Sequence, residues 1–451
     1  MDGWPTHPSQ EGAYKMNESE IQNLVNKLEN KGFTEYAVTS INSRIEQVRF
    51  SQNSIDLTNL WDEANFHVFV AIGKKIASTV LKDVAEMDIT IDKLWKSANS
   101  SPENRSFAGI NPEKQKYPYN VNHRAVQHDL HEFSQAAIQS ALDNGAERVA
   151  GTAYNIFEKV RTSTKYNKCE YTTGGIELNI RSFRGGFSGQ EGIHWGLQSN
   201  VSKSDFERMG SESAETARVT ERKESIEPGK YTVIMSPYVI GNIISSCAES
   251  LSYYSVETGM SSFGDQIGRK VAGDGVNLVD DPLDSTGDGF RACDDEATAT
   301  KKNRIITDGQ LNTFFHSYST AVRSGSRTTG NAGIILPMPW QLKILPGRTK
   351  LSDMISGMKN GLLIENCWYT RFQDYRNGIF STVPRDGVFL VQNGAIKGDL
   401  SGIRISDSFR NILSNIEEIS SETKNAKWWQ EVSSTNMPYV KVKNVNISRA
   451  F

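Results

Sequence analysis

Residues 236–251 read Ser236-Pro237-Tyr238-Val239-Ile240-Gly241-Asn242-Ile243-Ile244-Ser245-Ser246-Cys247-Ala248-Glu249-Ser250-Leu251. Ser236 suits an N-cap and Pro237 the first helical position, because the N–H that proline lacks has no partner there anyway. Ile240, Ile243, Ile244, Cys247 and Leu251 recur at helical spacing, so the segment is expected to be a capped helix with one face buried. Its candidates for chemistry are hydroxyls: Ser245, Ser246 and Ser250.

Four further segments follow. They are Asp294-Asp295-Glu296, Thr328-Thr329-Gly330-Asn331-Ala332, Leu345-Pro346-Gly347 and Asn360-Gly361-Leu362-Leu363. In that order and at those separations the chain resembles the TldD/PmbA family, whose usual forms are DDEG, a TGNA box, a PG turn and a DGL segment. The resemblance covers nearly the whole chain, more weakly upstream. It implies a metallopeptidase setting, in which TldD-type chains hold zinc with an HExxxH helix and a late cysteine, whereas PmbA (TldE)-type chains lack these ligands. Laid on that motif, Ser245, Ser246 and Ser250 stand where His, Glu and His would be, and Trp428-Trp429-Gln430 occupy the neighbourhood of the late cysteine. Serine hydroxyls are poor zinc ligands and poor bases, and metal-bound water needs a carboxylate beside it to take its proton. The chain therefore resembles the metal-free, PmbA/TldE-like member, with no catalytic residue of its own and no cofactor, zinc being expected in a TldD-like partner.

The 451 residues exceed one typical domain. Residues 1–16, rich in Gly, Pro and polar side chains, are expected to be a flexible N-terminus, residues 17–226 an N-terminal α+β domain, and residues 227–451 a β-rich domain. The boundary falls at the turn Glu227-Pro228-Gly229, where a polar, charged stretch gives way to the strand-like Tyr231 to Met235. The fold class is α+β: helices on an N-terminal mixed sheet, then mostly antiparallel strands curled toward a barrel around the buried Ser236 helix.

In the first part, Asn17 and Glu20 resemble a capping box ahead of an amphipathic helix that stops at Gly32. Helices are also expected over Asp88–Ala98, Val121–Leu142 and Asp205–Arg218, and strands over Tyr36–Thr39, Ile45–Ser51, Phe66–Ile72 and Ile76–Val80, the last two joined at Gly73-Lys74. In the second part, Val388–Val391 followed by Gln392-Asn393-Gly394 signals a hairpin. Asn411 to Ile419 reads as helical and Tyr439 to Ile447 as the closing strand.

The formal net charge of −3 without a strongly basic segment argues against nucleic acid as a partner. Cys169, Cys247, Cys293 and Cys367 are scattered singly, a usage that fits a reducing, cytoplasmic compartment. No apolar run is long enough to span a bilayer.

Other constellations invite chemistry. His128 and His131, three apart and near His123, Asp129 and Glu132, are a weak metal candidate against a plain solvated helix face. Asp294, Asp295 and Glu296 form a carboxylate site or order a loop. Arg327, Thr329, Gly330 and Asn331 are candidates for gripping peptide, with Arg323 beside them, against a tight structural turn. Cys247 as a nucleophile with His316 is disfavoured by its apolar stripe. The aromatic Cys367–Phe372 stretch suits a chamber wall, a subunit contact or core.

The family pattern implies paired assembly, with unfolded peptide cleaved in an enclosed chamber at the subunit contact. This chain would shape that chamber and hold extended peptide by strand addition. Two alternatives stand beside it: an autonomous hydrolase with a relocated site, and a homodimeric peptide-binding protein without catalysis.

Overall fold

A computed structural model describes residues 18–117, 128–220, 222–334, 336–427 and 433–450. The flexible-terminus expectation for residues 1–16, together with Asn17, His123 and Trp428-Trp429-Gln430, lies outside the described residues.

The first half is built on six long strands: β1 (Glu35–Ser51), β2 (Ser54–Ile72), β3 (Lys75–Leu81), β4 (Arg148–Thr164), β5 (Lys168–Arg184) and β6 (Phe187–Gly196). They pair antiparallel in the order β3-β2-β1-β4-β5-β6. Tyr36–Thr39 and Ile45–Ser51, expected as two strands, form one, because the polar residues between them stay in register with β2 and β4. Residues 54–65 of β2 gave no apolar signal: they pair only with β1, and much of that stretch is exposed. The turn to β2 is Gln52-Asn53, both with positive φ, and Gly73-Lys74 turns β2 into β3 as expected.

Helices cover the two ends of this sheet. At one end α1 (Glu18–Lys31) and α2 (Met87–Ser100) bury Leu24, Leu28, Ile91 and Leu94 against Val38, Phe66 and Val68. At the other, α3 (Leu130–Asp143) and α4 (Lys203–Arg218) enclose Ile138, Phe206 and Met209 with Val48, Leu178 and Ile180. Among the described residues the expected Val121–Leu142 helix starts only at Leu130, because the Asp129 side chain accepts from the N–H of Glu132 and caps it there.

The second half closes a ring of pairings. Gly229–Met235 lies parallel to Asn360–Asp374, which pairs antiparallel with Ile379–Gln392. That strand pairs with Ile403–Ser408, which pairs with the closing strand Ser434–Arg449, and the closing strand returns to Gly229–Met235. The parallel pairings that make the whole sheet mixed all belong to this half. Asn393 and Gly394, both with positive φ, turn the expected hairpin, with Gln392 opposite Ala395. Asn411 to Ile419 is helical only as far as Ser414; a strand, Ile416–Ala426, follows, since Ile416 and Ile419 face the core and pair with the closing strand.

The helix α5 (Pro237–Cys247) is capped as its sequence dictates: Ser236 Oγ accepts from the N–H groups of Tyr238 and Val239. Val239, Ile240, Ile243, Ile244 and Cys247 are fully buried in one core with Met235, Leu362, Ile364 and Val440 from the ring. At Gly241 a Cβ would stand 2.9 Å from Thr435 Oγ1, so glycine permits the close approach of helix and closing strand.

Candidate functional site

A cavity of about 470 Å³ opens where the N-terminal sheet meets loops of the second half. The sheet contributes Thr39, Ile41, Val160 and Tyr171, and the facing wall contributes Asp288, Arg291, Trp340, Lys427 and Ser434. Volume and mixed lining suit a side chain or short peptide segment.

Buried charge is concentrated along this wall. Asp288 Oδ1 lies 3.0 Å from His194 Nδ1, and Lys427 Nζ bonds both Asp288 and Glu177. Burial opposes the charge on Asp288, but His194 when protonated and Lys427 outweigh it and hold its carboxyl well below the usual range, Lys427 being the cation beside it while the imidazole is neutral. Burial likewise opposes the charge on Lys427, yet the two carboxylates keep it protonated. His194, fully buried, is pushed down by desolvation against the pull of Asp288 and so is neutral near pH 7. Its Nε2 stands 3.2 Å from Ser434 Oγ and 3.1 Å from the carbonyl of Thr435. Arg291, on the same wall, stacks on Trp340 with its guanidinium carbon 4.0 Å from the ring centre and bonds Asp295 at 3.1 Å.

The serine positions of α5 adjoin the same wall. Ser245 Oγ accepts the backbone N–H of Ser433 at 3.0 Å, and Ser433 lines the cavity. Ser246 is half-buried, and Ser250 is buried in the 3-10 turn Ala248–Leu251 that follows the helix.

Residues 228–449 match the model of the PmbA/TldA metallopeptidase C-terminal domain. The chain belongs to the TldD/PmbA family. Among similar proteins, a metalloprotease of Methanocaldococcus jannaschii is 26% identical over 43% of this chain and 44% of its own length. A metalloprotease TldD homolog of Buchnera aphidicola is 25% identical over 74% of this chain and 69% of that protein. The chain thus spans less than half the length of the first relative. TldE from Thermococcus kodakarensis has the same fold, with a TM-score of 0.81 at 18% identity over 95% of this chain and 100% of that one. A Thermotoga maritima protein described as a modulator of a DNA gyrase gives 0.82 at 19% over 96% and 100%.

Two of the signature segments, Asp294-Asp295-Glu296 and Thr328–Ala332, meet in one buried knot. Asp294 Oδ1 accepts the N–H groups of Glu296 and Thr298, and its Oδ2 accepts that of Ala332 at 3.0 Å. Burial raises the Asp294 carboxyl to about 7. Asn331 donates to Asp280 at 2.6 Å and to the carbonyl of Met338 at 2.9 Å. Thr329 Oγ1 bridges the backbone of His316, and the carbonyl of Gly330 accepts the Trp340 indole at 2.8 Å. Gly330 has φ +72, and a Cβ there would stand 2.8 Å from the Ala299 carbonyl oxygen, so the turn requires glycine. The side chains of Thr329 and Asn331 are thereby committed within the chain. Arg323 forms a two-pronged pair with Glu257 at 2.5 and 2.8 Å, while Arg327 is exposed.

His128 and His131 are not brought together on one helical face. His128 precedes α3 and lies against the Phe133 ring, and His131 is exposed at the rim of a shallow depression with Asp129 and Glu132. Among the described residues no three His, Cys, Asp or Glu side chains group as a metal site. All four cysteines are buried thiols. Cys247 is fully enclosed and pushed up by burial, which removes the thiolate a nucleophile needs. The Cys367–Phe372 stretch is divided: Cys367 and Thr370 turn into the core beside Asn242, and Tyr369 is exposed.

Sequence reading missed Asp280, His194 and Asp288. Asp280 belongs to the run Asp280-Asp281-Pro282, which looks like an ordinary acidic turn, and His194 is a lone histidine in a glycine-rich strand. Only long-range pairing reveals their roles. No helix among the described residues is long and apolar enough to cross a membrane.

Proposed function

We propose that this chain is the metal-free, PmbA/TldE-like subunit of a TldD/TldE-type metallopeptidase that degrades or processes unfolded peptides, with zinc supplied by a TldD-like partner. The observation that carries this reading is the latch between Ser245 and Ser433: the position of the first histidine in the TldD-type motif holds a hydroxyl already engaged by the start of the closing strand. Family membership and the metalloprotease names of the relatives support the setting.

In this reading the chain shapes the chamber and holds extended peptide. Residues 54–65 of β2 pair on one side with β1, and no described strand pairs with their other edge, where Leu57, Leu60 and Trp61 are exposed. An extended peptide adding there would gain main-chain hydrogen bonds with little sequence preference. Arg327 is an exposed cation available to a peptide carboxylate near the Thr329–Asn331 turn.

The test is metal content together with hydrolysis of an unfolded peptide, for the chain alone and mixed with a co-encoded TldD-like protein. Chelator-sensitive activity that appears only on mixing, with zinc only in the partner, is expected. Stoichiometric zinc and turnover in the isolated chain would overturn the proposal.

A further inference from the structure

The geometry points to a second chemistry in this chain: Ser434, His194 and Asp288 form a serine-nucleophile site on the cavity wall, suited to the acyl group of an ester or peptide. Three separate segments converge to make it. β6 supplies His194, the loop between Leu278–Asp280 and Asn303–Thr307 supplies Asp288, and the closing strand supplies Ser434. The separations are 3.2 Å from Ser434 Oγ to His194 Nε2 and 3.0 Å from His194 Nδ1 to Asp288 Oδ1. Ser434 Oγ is thus within bonding reach of the base, Asp288 Oδ1, which makes no hydrogen bond of its own, lies beside Nδ1, and Ser434 and Asp288 both line the cavity.

The surrounding groups are arranged for that relay. Lys427 occupies Asp288 Oδ2, leaving Oδ1 beside the imidazole, and Glu177 balances the lysine from its other side. The carboxylate is therefore ionised while His194 is neutral, the pairing a general base requires. With the imidazole proton on Nδ1, directed to Asp288, Nε2 is free to accept from the Ser434 hydroxyl. Once Nε2 has taken that proton, the Thr435 carbonyl at 3.1 Å is a fixed acceptor that stabilises the imidazolium. With the proton on Nε2 instead, Nδ1 accepts the backbone N–H of Asp288 at 3.2 Å, a resting arrangement.

In the step itself Ser434 Oγ forms a bond to the carbonyl carbon and its proton passes to His194 Nε2. The bond from that carbon to the leaving oxygen or nitrogen then breaks, and the imidazolium returns the proton to the leaving group. Water repeats the sequence, releasing the acid and restoring the serine. The step calls on no metal, and the inference does not rest on the subunit reading above.

The experiment uses the full chain, treated with chelator, and an alkyl fluorophosphonate, which loses fluoride as the serine oxygen bonds to phosphorus. Peptide mass spectrometry locates the adduct. One adduct on Ser434 is expected, absent from the heat-denatured chain and from Ser434→Ala. His194→Gln should slow labelling about 100-fold, and wild-type labelling should weaken as pH falls and the imidazole protonates. Because His194 is buried, circular dichroism must show that His194→Gln remains folded. Ser434→Cys keeps the site testable if that variant is unfolded, since the introduced thiol should react with a p-nitrophenyl ester faster than the native cysteines, which are buried. An unlabelled native chain, an adduct elsewhere, equal labelling of Ser434→Ala, or an introduced thiol in Ser434→Cys no faster than the native ones would each overturn the proposal.

Discussion

The backbone N–H of Ser433 donates to Ser245 Oγ at 3.0 Å, joining the start of the closing strand to the helix position that, in the reading proposed above, answers to the first histidine of the TldD-type motif. A larger side chain at Ser245, which is 5% exposed, would have to displace the start of that strand. Restoring the motif with Ser245→His, Ser246→Glu and Ser250→His should therefore lower Tm by several degrees, roughly what about 2 kcal/mol of core disruption gives in a chain of this size. The triple variant should still bind no stoichiometric zinc, since two helix ligands leave the coordination sphere open and no cysteine follows Cys367. Elemental analysis after dialysis decides it: one zinc per chain would show that the serines alone account for the loss of metal.

Asn331 holds two loops together through Asp280, whose other oxygen accepts the N–H groups of Trp340 and Gln341 at 2.9 and 2.7 Å. Asn331→Ala should cost about 2–4 kcal/mol, because it removes a donor from a buried carboxylate and leaves the Met338 carbonyl unpaired. Asn331→Asp should be worse at pH 8 than at pH 5, since two buried carboxylates cannot both ionise at hydrogen-bond distance. Chemical denaturation at the two pH values measures this. Equal destabilisation at both would mean that the pair is screened.

Burial raises the folded-state carboxyl of Asp280 to about 6 and that of Asp294 to about 7, above the ordinary 3.8. A raised folded pKa means that the native state binds protons more readily than the unfolded chain. The resulting stability is full below about pH 3.8 and is lost as pH rises through 6 to 7. Burial lowers His316 to about 4, so its contribution has the opposite sign and is lost as pH falls below its ordinary 6.5. Asp294→Asn, which cannot titrate, should lower Tm throughout but flatten its decline between the ordinary 3.8 and the raised value of about 7. A slope unchanged from wild type would remove Asp294 from the linkage.

The parts of the fold that announce themselves in the sequence are those with local physical causes. Ser236 and Pro237 fix the start of α5, and Asn393-Gly394 fix a turn, because cap and turn chemistry is settled within a few residues. The polar middle of β1 escaped notice since one of its partners lies more than a hundred residues away, as with Val160 opposite Ile41, and the outer half of β2 because, paired with β1 alone and largely exposed, it has no buried face to give it a period. The site was half legible for the same reason. The proposed substitution of the metal positions lies within one helix, whereas the contact of His194 with Ser434 spans 240 positions and leaves no periodic trace.

Ala297 is the one departure from the usual DDEG segment that the structure lets one weigh. Its φ of 54 is left-handed, the region where a Cβ crowds the neighbouring carbonyl, and it is fully buried with its carbonyl accepting the Tyr117 hydroxyl at 2.8 Å. The turn thus holds a left-handed conformation that glycine would adopt freely while bearing the strain of alanine. It is held there by the Asp294 side chain, which accepts the N–H groups on either side, from Glu296 and Thr298. Ala297→Gly should relieve that strain and stabilise the chain by about 1 kcal/mol, reduced somewhat by the greater freedom of glycine when unfolded. Ala297→Val, with a branched Cβ in the same conformation, should cost more than alanine does. Thermal unfolding of the two variants in parallel provides the check: a glycine variant less stable than wild type would mean that contacts of the alanine methyl outweigh its backbone strain.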